Sequence, residues 1–240
     1  MPRRSFRVES GREVPAVTAD EMRTVDRVAV EEVGLKLLQM MENAGRALAW
    51  HVRDARRSSG GPAVVVAGNG GNGGGGLVCA RYLSNRDVPV EVVLDRPPEE
   101  LTDAAAHQYH TLEEMGVDTQ VGSDRLTEVD ASVVVDALIG YGLTGQVREL
   151  ARALVEETNR ESAPTVSLDV PSGLDATTGE PLGAVVSPDR TVTLALPKTG
   201  LADIDGELYL ADIGIPAVVY DRLDIDYEGP FDRTDWVALC

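Results

Sequence analysis

The sequence predicts an open α/β fold: a mostly parallel sheet packed between helices and preceded by two more helices, in one domain over residues 1–240. Three observations carry that expectation. From Ala63 onward, apolar segments of strand length alternate with segments of helix length, the pattern of βαβ units whose parallel strands are buried on both faces. A glycine run, Gly68 to Gly76, lies directly between the first of those strands and the helix after it. The 240 residues, 43% of them apolar, are enough for one sizeable core.

Met1 to Val14 is basic and polar without periodicity, which predicts a flexible arm over about residues 1–16. Thr18 and Glu21 have the spacing of a capping box, in which hydroxyl and carboxylate satisfy donors of a first helical turn. Val25, Val28, Ala29 and Val33 continue that helix, and a second is expected over about Leu35 to Arg56. Its predicted buried face is Leu37, Leu38, Met41, Ala44, Leu48 and Val52. Strands are predicted at Ala63–Ala67, Pro89–Leu94, Ser132–Ala137, Thr165–Val170, Thr191–Leu196 and Glu207–Leu210. Helices are predicted at about Leu77–Asn85, Asp103–Met115 and Arg148–Arg160. The tail from Asp221 to Cys240 is acidic and aperiodic, and no element is assigned to it.

The formal charge is −18, and Lys36 and Lys198 are the only lysines. Such a surface repels phosphate backbones and anionic lipid, so a nucleic acid partner is not expected. No apolar run approaches the roughly 20 residues of a membrane-spanning helix. Acidic residues spread over the whole chain suggest a halophilic-like surface, one whose self-repulsion is screened by concentrated salt. Two cysteines, Cys79 and Cys240, make no disulfide framework, and Met1 to Arg7 has no apolar signal core. A cytoplasmic protein is the expectation.

Gly68 to Gly76 is the strongest local feature. Glycine lets backbone amides approach a ligand, and those amides together with a helix N-terminus make an electropositive hollow suited to phosphate. Gly68, Gly70 and Gly73 fit G-x-G-x-x-G, and Asp95 closes the next strand, where a ribose ligand is expected. No Gly-Lys-Ser/Thr follows, which excludes a P-loop. Two further strands end in carboxylates, Asp136 before Gly140-Tyr141-Gly142 and Asp169 before Pro171-Ser172-Gly173. In a parallel sheet these ends share one edge, so the glycine run, Asp136 and Asp169 converge. Two carboxylates beside a phosphate hollow need a compensating cation. A hard ion held by oxygens of Asn72, Asp136 and Ser172 would supply it and leave Asp169 free for proton transfer. Lys198, after a later strand, either meets a substrate phosphate or pairs with surface acid. His107, His110 and Glu113 share a helical stripe that reads as a solvated face.

Together, Met41-Glu42-Asn43-Ala44-Gly45, Asn72 to Arg81, Asp136 to Gly145, Ser167 to Asp175, Leu196 to Leu201 and Ala211 to Pro216 resemble the YjeF N-terminal domain family, the NAD(P)H-hydrate epimerases. The resemblance extends from about Val17 to Val219. It implies a Rossmann-like three-layer α/β/α sandwich and the interconversion of the R and S epimers of NADHX and NADPHX, cofactors damaged by hydration of the nicotinamide ring. By motif, Gly71, Asn72, Gly73, Gly74 and Gly75 would line the hydrated nucleotide. So would Gly140, Tyr141, Gly142, Leu143, Thr144, Gly145 and Gln146, with Asp169 as contact and catalytic acid or base. Asn72, Asp136 and Ser172 would ligate a potassium ion. The resemblance also implies a separate ADP- or ATP-dependent hydrate dehydratase as functional partner and makes a homodimer plausible. The family loop reads Asn-Asn-Gly-Gly-Asp-Gly, whereas Gly71 and Gly75 stand here for the first Asn and the Asp. That departure motivates a second reading, a catalytically silent nucleotide-binding or interaction domain. A third, an NAD-dependent dehydrogenase built on Gly68, Gly70, Gly73 and Asp95, lacks a catalytic His or Tyr in the motifs.

Overall fold

A computed structural model describes residues 4–58, 60–147, 149–232 and 234–240; Met1 to Arg3 of the expected arm and the Arg148 start of one expected helix lie outside them. The strands are β1 (Ser5–Arg7), β2 (Glu13–Pro15), β3 (Ala63–Ala67), β4 (Val90–Leu94), β5 (Asp118–Val121), β6 (Val133–Ala137), β7 (Thr165–Leu168), β8 (Arg190–Leu194), β9 (Glu207–Ala211) and β10 (Trp236–Leu239). The helices are α1 (Ala19–Arg27), α2 (Leu37–Ala55), α3 (Gly71–Ser84), α4 (Asp103–Glu114), α5 (Asp124–Glu128), α6 (Glu149–Thr158) and α7 (Ala217–Asp221).

Eight strands form one sheet in the order β10-β9-β8-β7-β6-β3-β4-β5, parallel throughout except that β10 runs antiparallel to β9. The valine runs explain it. In β3, Val65 faces α2 and α3 while Val64 and Val66 face Leu154 and Val155 of α6, and all three are buried. A strand apolar on both faces is stable only with helices on both sides, which is the three-layer arrangement. Each such valine contributes about 1.5–3 kcal/mol by leaving water. The chain runs from β3 outward to β4 and β5, then returns to β6 on the other flank of β3. The crevice outside the carboxyl ends of β3 and β6 is therefore the place where such sheets present a ligand site.

The capping box is present: Thr18 Oγ1 accepts from Glu21 N, and Glu21 Oε2 accepts from Thr18 N at 2.7 Å. The flexible arm is not what the structure holds over its described part. β1 and β2 pair antiparallel, with Phe6, Val8, Val14 and Ala16 buried against α1 and the C-terminal segment. Phe6 and Val14 in the strands, with Val8 and Ala16 just past them, suffice, because the surface they cover is supplied by distant parts of the chain. The buried face of α2 is also displaced from expectation. Leu37 and Leu38 are exposed, whereas Met40, Ala47 and His51 are inside. The tail adds the edge strand β10, whose Trp236 ring meets Trp50 at 4.4 Å, His51 at 4.8 Å and Tyr209 at 5.4 Å.

His51 yields a pH prediction. Burial first, and then the charge of Arg190 3.4 Å from its Nδ1, lower its pKa to about 3, and its Nε2 has no partner among the described residues. Unfolded chains take up a proton near pH 6.5 and the folded chain does not until about pH 3, so this group's stability is present above 6.5 and is lost as pH falls through that window, by up to about 1.4 kcal/mol per pH unit. Urea unfolding of His51→Phe is expected to show a shallower loss of stability from pH 6.5 to 4 than the parent. Identical slopes would refute this role.

Candidate active site

A cavity of about 730 Å³ fills the crevice between the ends of β3 and β6 and the start of α2. Of the residues expected to line the nucleotide, Gly71, Asn72, Gly140, Tyr141, Gly142, Gln146 and Asp169 are on its wall. Gly73, Gly74, Gly75, Leu143, Thr144 and Gly145 are not. The physical reason for the first three is that the glycine run is not a loop: α3 begins at Gly71, six residues before the expected start at Leu77. Gly73, Gly74 and Gly75 are buried in its first turns, where a Cβ would meet the Gly68 carbonyl oxygen at 1.7 Å, Met41 Sδ at 2.6 Å and Leu168 Cδ2 at 2.7 Å, respectively. They let α3 press onto the sheet and onto α2. Gly70 and Gly71 remain at the helix N-terminus facing the cavity, where unpaired amides suit an anion.

At the end of β7 the chain leaves the sheet through Asp169, which has φ +68°. Aspartate is one of the few side chains that tolerate this left-handed geometry, and such outliers persist where the surroundings impose them. Asp169 is buried, and both oxygens of its carboxylate are engaged. Oδ1 accepts from Leu194 N at 3.2 Å and forms a buried ion pair with Lys198 Nζ, while Oδ2 accepts from Tyr141 N at 3.3 Å. Lys198 is 1% exposed and also donates to the Leu194 carbonyl at 2.9 Å. It is thus neither on the surface nor reserved for a phosphate. Sequence signals for the pair were weak, since a Pro-Lys-Thr-Gly segment after a strand has no fixed partner.

Asp26, on α1, carries no site signal in the sequence. It accepts a hydrogen bond from Tyr141 Oη, and Lys198 Nζ stands 5.6 Å from the Tyr141 ring centre. Burial holds the Asp26 carboxyl above the ordinary carboxylate range against the hydrogen bond from Tyr141, and burial, then Asp26, push the Tyr141 hydroxyl upward. Asp26, Tyr141, Lys198 and Asp169 all line the cavity. No histidine does.

Beneath the wall lies Asp136, 1% exposed. Ser172 Oγ donates to its Oδ1 at 2.5 Å, and Ser167 Oγ and Ser172 N donate to its Oδ2 at 2.7 and 2.9 Å. Burial nevertheless raises this carboxyl above its usual range, and no cationic side chain pairs with it among the described residues. Asn72 has its buried amide end against Gly140, and its Nδ2 has no partner among the described residues. A buried carboxylate without a cationic partner among the described residues, the Ser172 hydroxyl oxygen bonded to it and the Asn72 side-chain oxygen beside Gly140 are oxygen donors of the kind a hard cation takes.

A model of the family described as YjeF-related protein N-terminus matches residues 37–200. The bifunctional NAD(P)H-hydrate repair enzyme Nnr of Salinibacter ruber is 44% identical over 87% of this chain, which spans only 42% of that relative's length. The NAD(P)H-hydrate epimerase of Dehalogenimonas lykanthroporepellens is 41% identical over 94% of this chain and 93% of its own. The crystal structure of yeast ynu0, YNL200c, superposes with a TM-score of 0.82 at 26% identity, covering 94% of this chain and all of that one. With the sheet order, the crevice and these relatives in agreement, the chain belongs to the YjeF N-terminal family.

Proposed function

We propose that this protein is an NAD(P)H-hydrate epimerase, an isomerase acting on NADHX and NADPHX. The observation that carries the reading is the buried Asp169–Lys198 pair on the wall of a dinucleotide-sized crevice, beside Gly140 to Gly142. Water adds to the enamine of a reduced nicotinamide at the carbon bound to nitrogen, so the hydrate is a ring hemiaminal. Such a carbon inverts when its carbon–nitrogen bond opens and recloses, a step that needs proton transfers but no oxidant or reductant. Asp169 takes the hydroxyl proton as Lys198 protonates the ring nitrogen, the carbon–nitrogen bond opens to an aldehyde, and closure on the other face returns both protons. Acid–base assistance of this kind contributes about 10²–10⁴-fold. Asn72, Asp136 and Ser172 would hold a potassium ion, which when bound supplies a fixed positive charge beside the substrate. The α3 N-terminus would receive the diphosphate.

The test is equilibration of a pure R epimer by purified protein in KCl, followed by chromatography of both epimers. Acceleration over the buffer rate is expected, and its absence would refute the reading. Because an epimerase only supplies the right epimer, a hydrate dehydratase activity would complete the repair, and a homodimer is in keeping with the family. The acidic surface predicts that thermal stability rises with KCl concentration.

The silent-domain reading rests on Gly75, and the geometry weighs against it. The space beyond Gly75 is filled by the tip of Leu168, while the acid–base pair is complete. Gly75→Asp alone is expected to lower stability by about 1–3 kcal/mol through overpacking, read as a drop of several degrees in Tm, with Leu168→Ala recovering most of it. A destabilised Gly75→Asp that Leu168→Ala does not rescue would show that some other neighbour occupies this space.

A further inference from the structure

We propose that Asp95 and Arg96 form the subsite for the adenosine ribose, and that Arg96 fits it to a 2′-phosphate, making the phosphorylated hydrate the better substrate. The inference rests on the epimerase reading for the identity of the dinucleotide, and on the topology for its direction. A dinucleotide lying across the β3–β6 crevice places one half over β4 and the other over β6 and β7. Asp169 and Lys198 hold the reacting half on the β7 and β8 side, which leaves the adenosine half to the β4 side. The first residue past β4 is Asp95, and both it and Arg96 line the cavity. Asp95 N donates to the Ala67 carbonyl at 3.3 Å, so this point is tied to the end of β3, next to the α3 N-terminus where the diphosphate would sit.

An aspartate alone at this position accepts from a ribose 2′-hydroxyl and repels a 2′-phosphate. Here its charge is answered by the next residue. Arg96 Nε and Nη2 donate to Asp95 Oδ1 and Oδ2, both at 2.9 Å, a planar two-point clasp that fixes the guanidinium. Its Nη1 makes no hydrogen bond among the described residues, and the Arg96 side chain is 36% exposed against 10% for Asp95. The pair therefore buries the carboxylate and turns the free edge of the guanidinium outward. Glu100 is the other carboxylate felt by Arg96, and it is exposed, so solvent screens it.

Calorimetric titration of the intact protein with adenosine 2′,5′-bisphosphate and with 5′-AMP tests this without turnover. The bisphosphate is expected to bind about tenfold more tightly, as one charge-assisted contact gives. Arg96→Ala should abolish the difference and Arg96→Lys restore part of it. In kinetics, the ratio of kcat/KM for NADPHX over NADHX should fall at least about tenfold in Arg96→Ala, chiefly through KM. Equal binding of the two fragments by the parent, or a ratio untouched by Arg96→Ala, would overturn the proposal. Fragment discrimination in a protein that does not epimerise hydrates would uphold this subsite and sink the epimerase reading; epimerisation without discrimination would do the reverse.

Discussion

Asp169→Asn is expected to reduce epimerisation by about a thousandfold, within the range that one acid–base group contributes, and to destabilise the fold at the same time. Asparagine tolerates the left-handed backbone that Asp169 adopts at φ +68°, so the chain path is preserved and the loss falls on charge. What remains is the Lys198 ammonium, 1% exposed and without its carboxylate. Removing one member of a buried ion pair costs about 3–5 kcal/mol, because the other stays desolvated and unpaired. For a chain of this length that lowers Tm by roughly 10 °C. A double variant, Asp169→Asn with Lys198→Met, separates the two effects. With both charges gone the desolvation penalty disappears, and stability should return toward that of the parent, while epimerisation stays lost. A single variant that kept activity within tenfold of the parent would remove Asp169 from the chemistry. A double variant no more stable than the single would show that the pair is not what holds this corner of the sheet.

Asp169 also marks the boundary between what the sequence displays and what it hides. Strand ends are legible only in part: Val133–Val135 is an apolar run that closes on Asp136 just before β6 ends at Ala137, whereas β7, Thr165–Leu168, alternates polar and apolar residues and stops two residues short of the expected Val170. The partners of those carboxylates are not legible, since Lys198 lies 29 residues beyond Asp169 and Asp26 lies 115 before Tyr141. Both meetings depend on how α1 and the β8 segment dock, which no local spacing encodes. The hairpin of β1 and β2 and the edge strand β10 escape notice for a related reason. Each is three or four residues long and buries few side chains, against surfaces that exist only once the sheet has formed.

At the start of α3, propensity and packing disagree. Glycine costs roughly 1 kcal/mol relative to alanine inside a helix, so a run at Gly73 to Gly76 reads as a loop. Close approach outweighs that cost. Gly45 of α2 would, with a Cβ, meet Val78 Cγ1 at 2.4 Å, and Gly76 would meet Ala137 Cβ at 2.4 Å. Two helices and two strand ends come together here at distances that only glycine allows.

Gly73→Ala is accordingly expected to be the most damaging methyl addition in the protein. Its Cβ would stand 1.7 Å from the Gly68 carbonyl oxygen and 2.5 Å from the carbon. Those are backbone atoms, and Gly68 cannot retreat: its N donates to the Ala137 carbonyl at 3.3 Å, and a Cβ of its own would meet the Leu138 oxygen at 2.2 Å. The first turn of α3 must then lift off the ends of β3 and β6, losing the contacts beneath it. Overpacking that side chains can absorb costs about 1–3 kcal/mol, and an immovable backbone should put this variant above that range, with Tm lower by about 10 °C or more. Gly71→Ala is the control, on the same helix with the same added methyl and no atom within 4 Å of its Cβ. There the helix-favouring effect of alanine acts alone, and stability should hold or rise by up to about 1 kcal/mol. Thermal unfolding of the two variants side by side decides the matter. If both melt with the parent, α3 does not press on β3 at Gly73, and the cavity wall formed by Gly70 and Gly71 loses the support assigned to it.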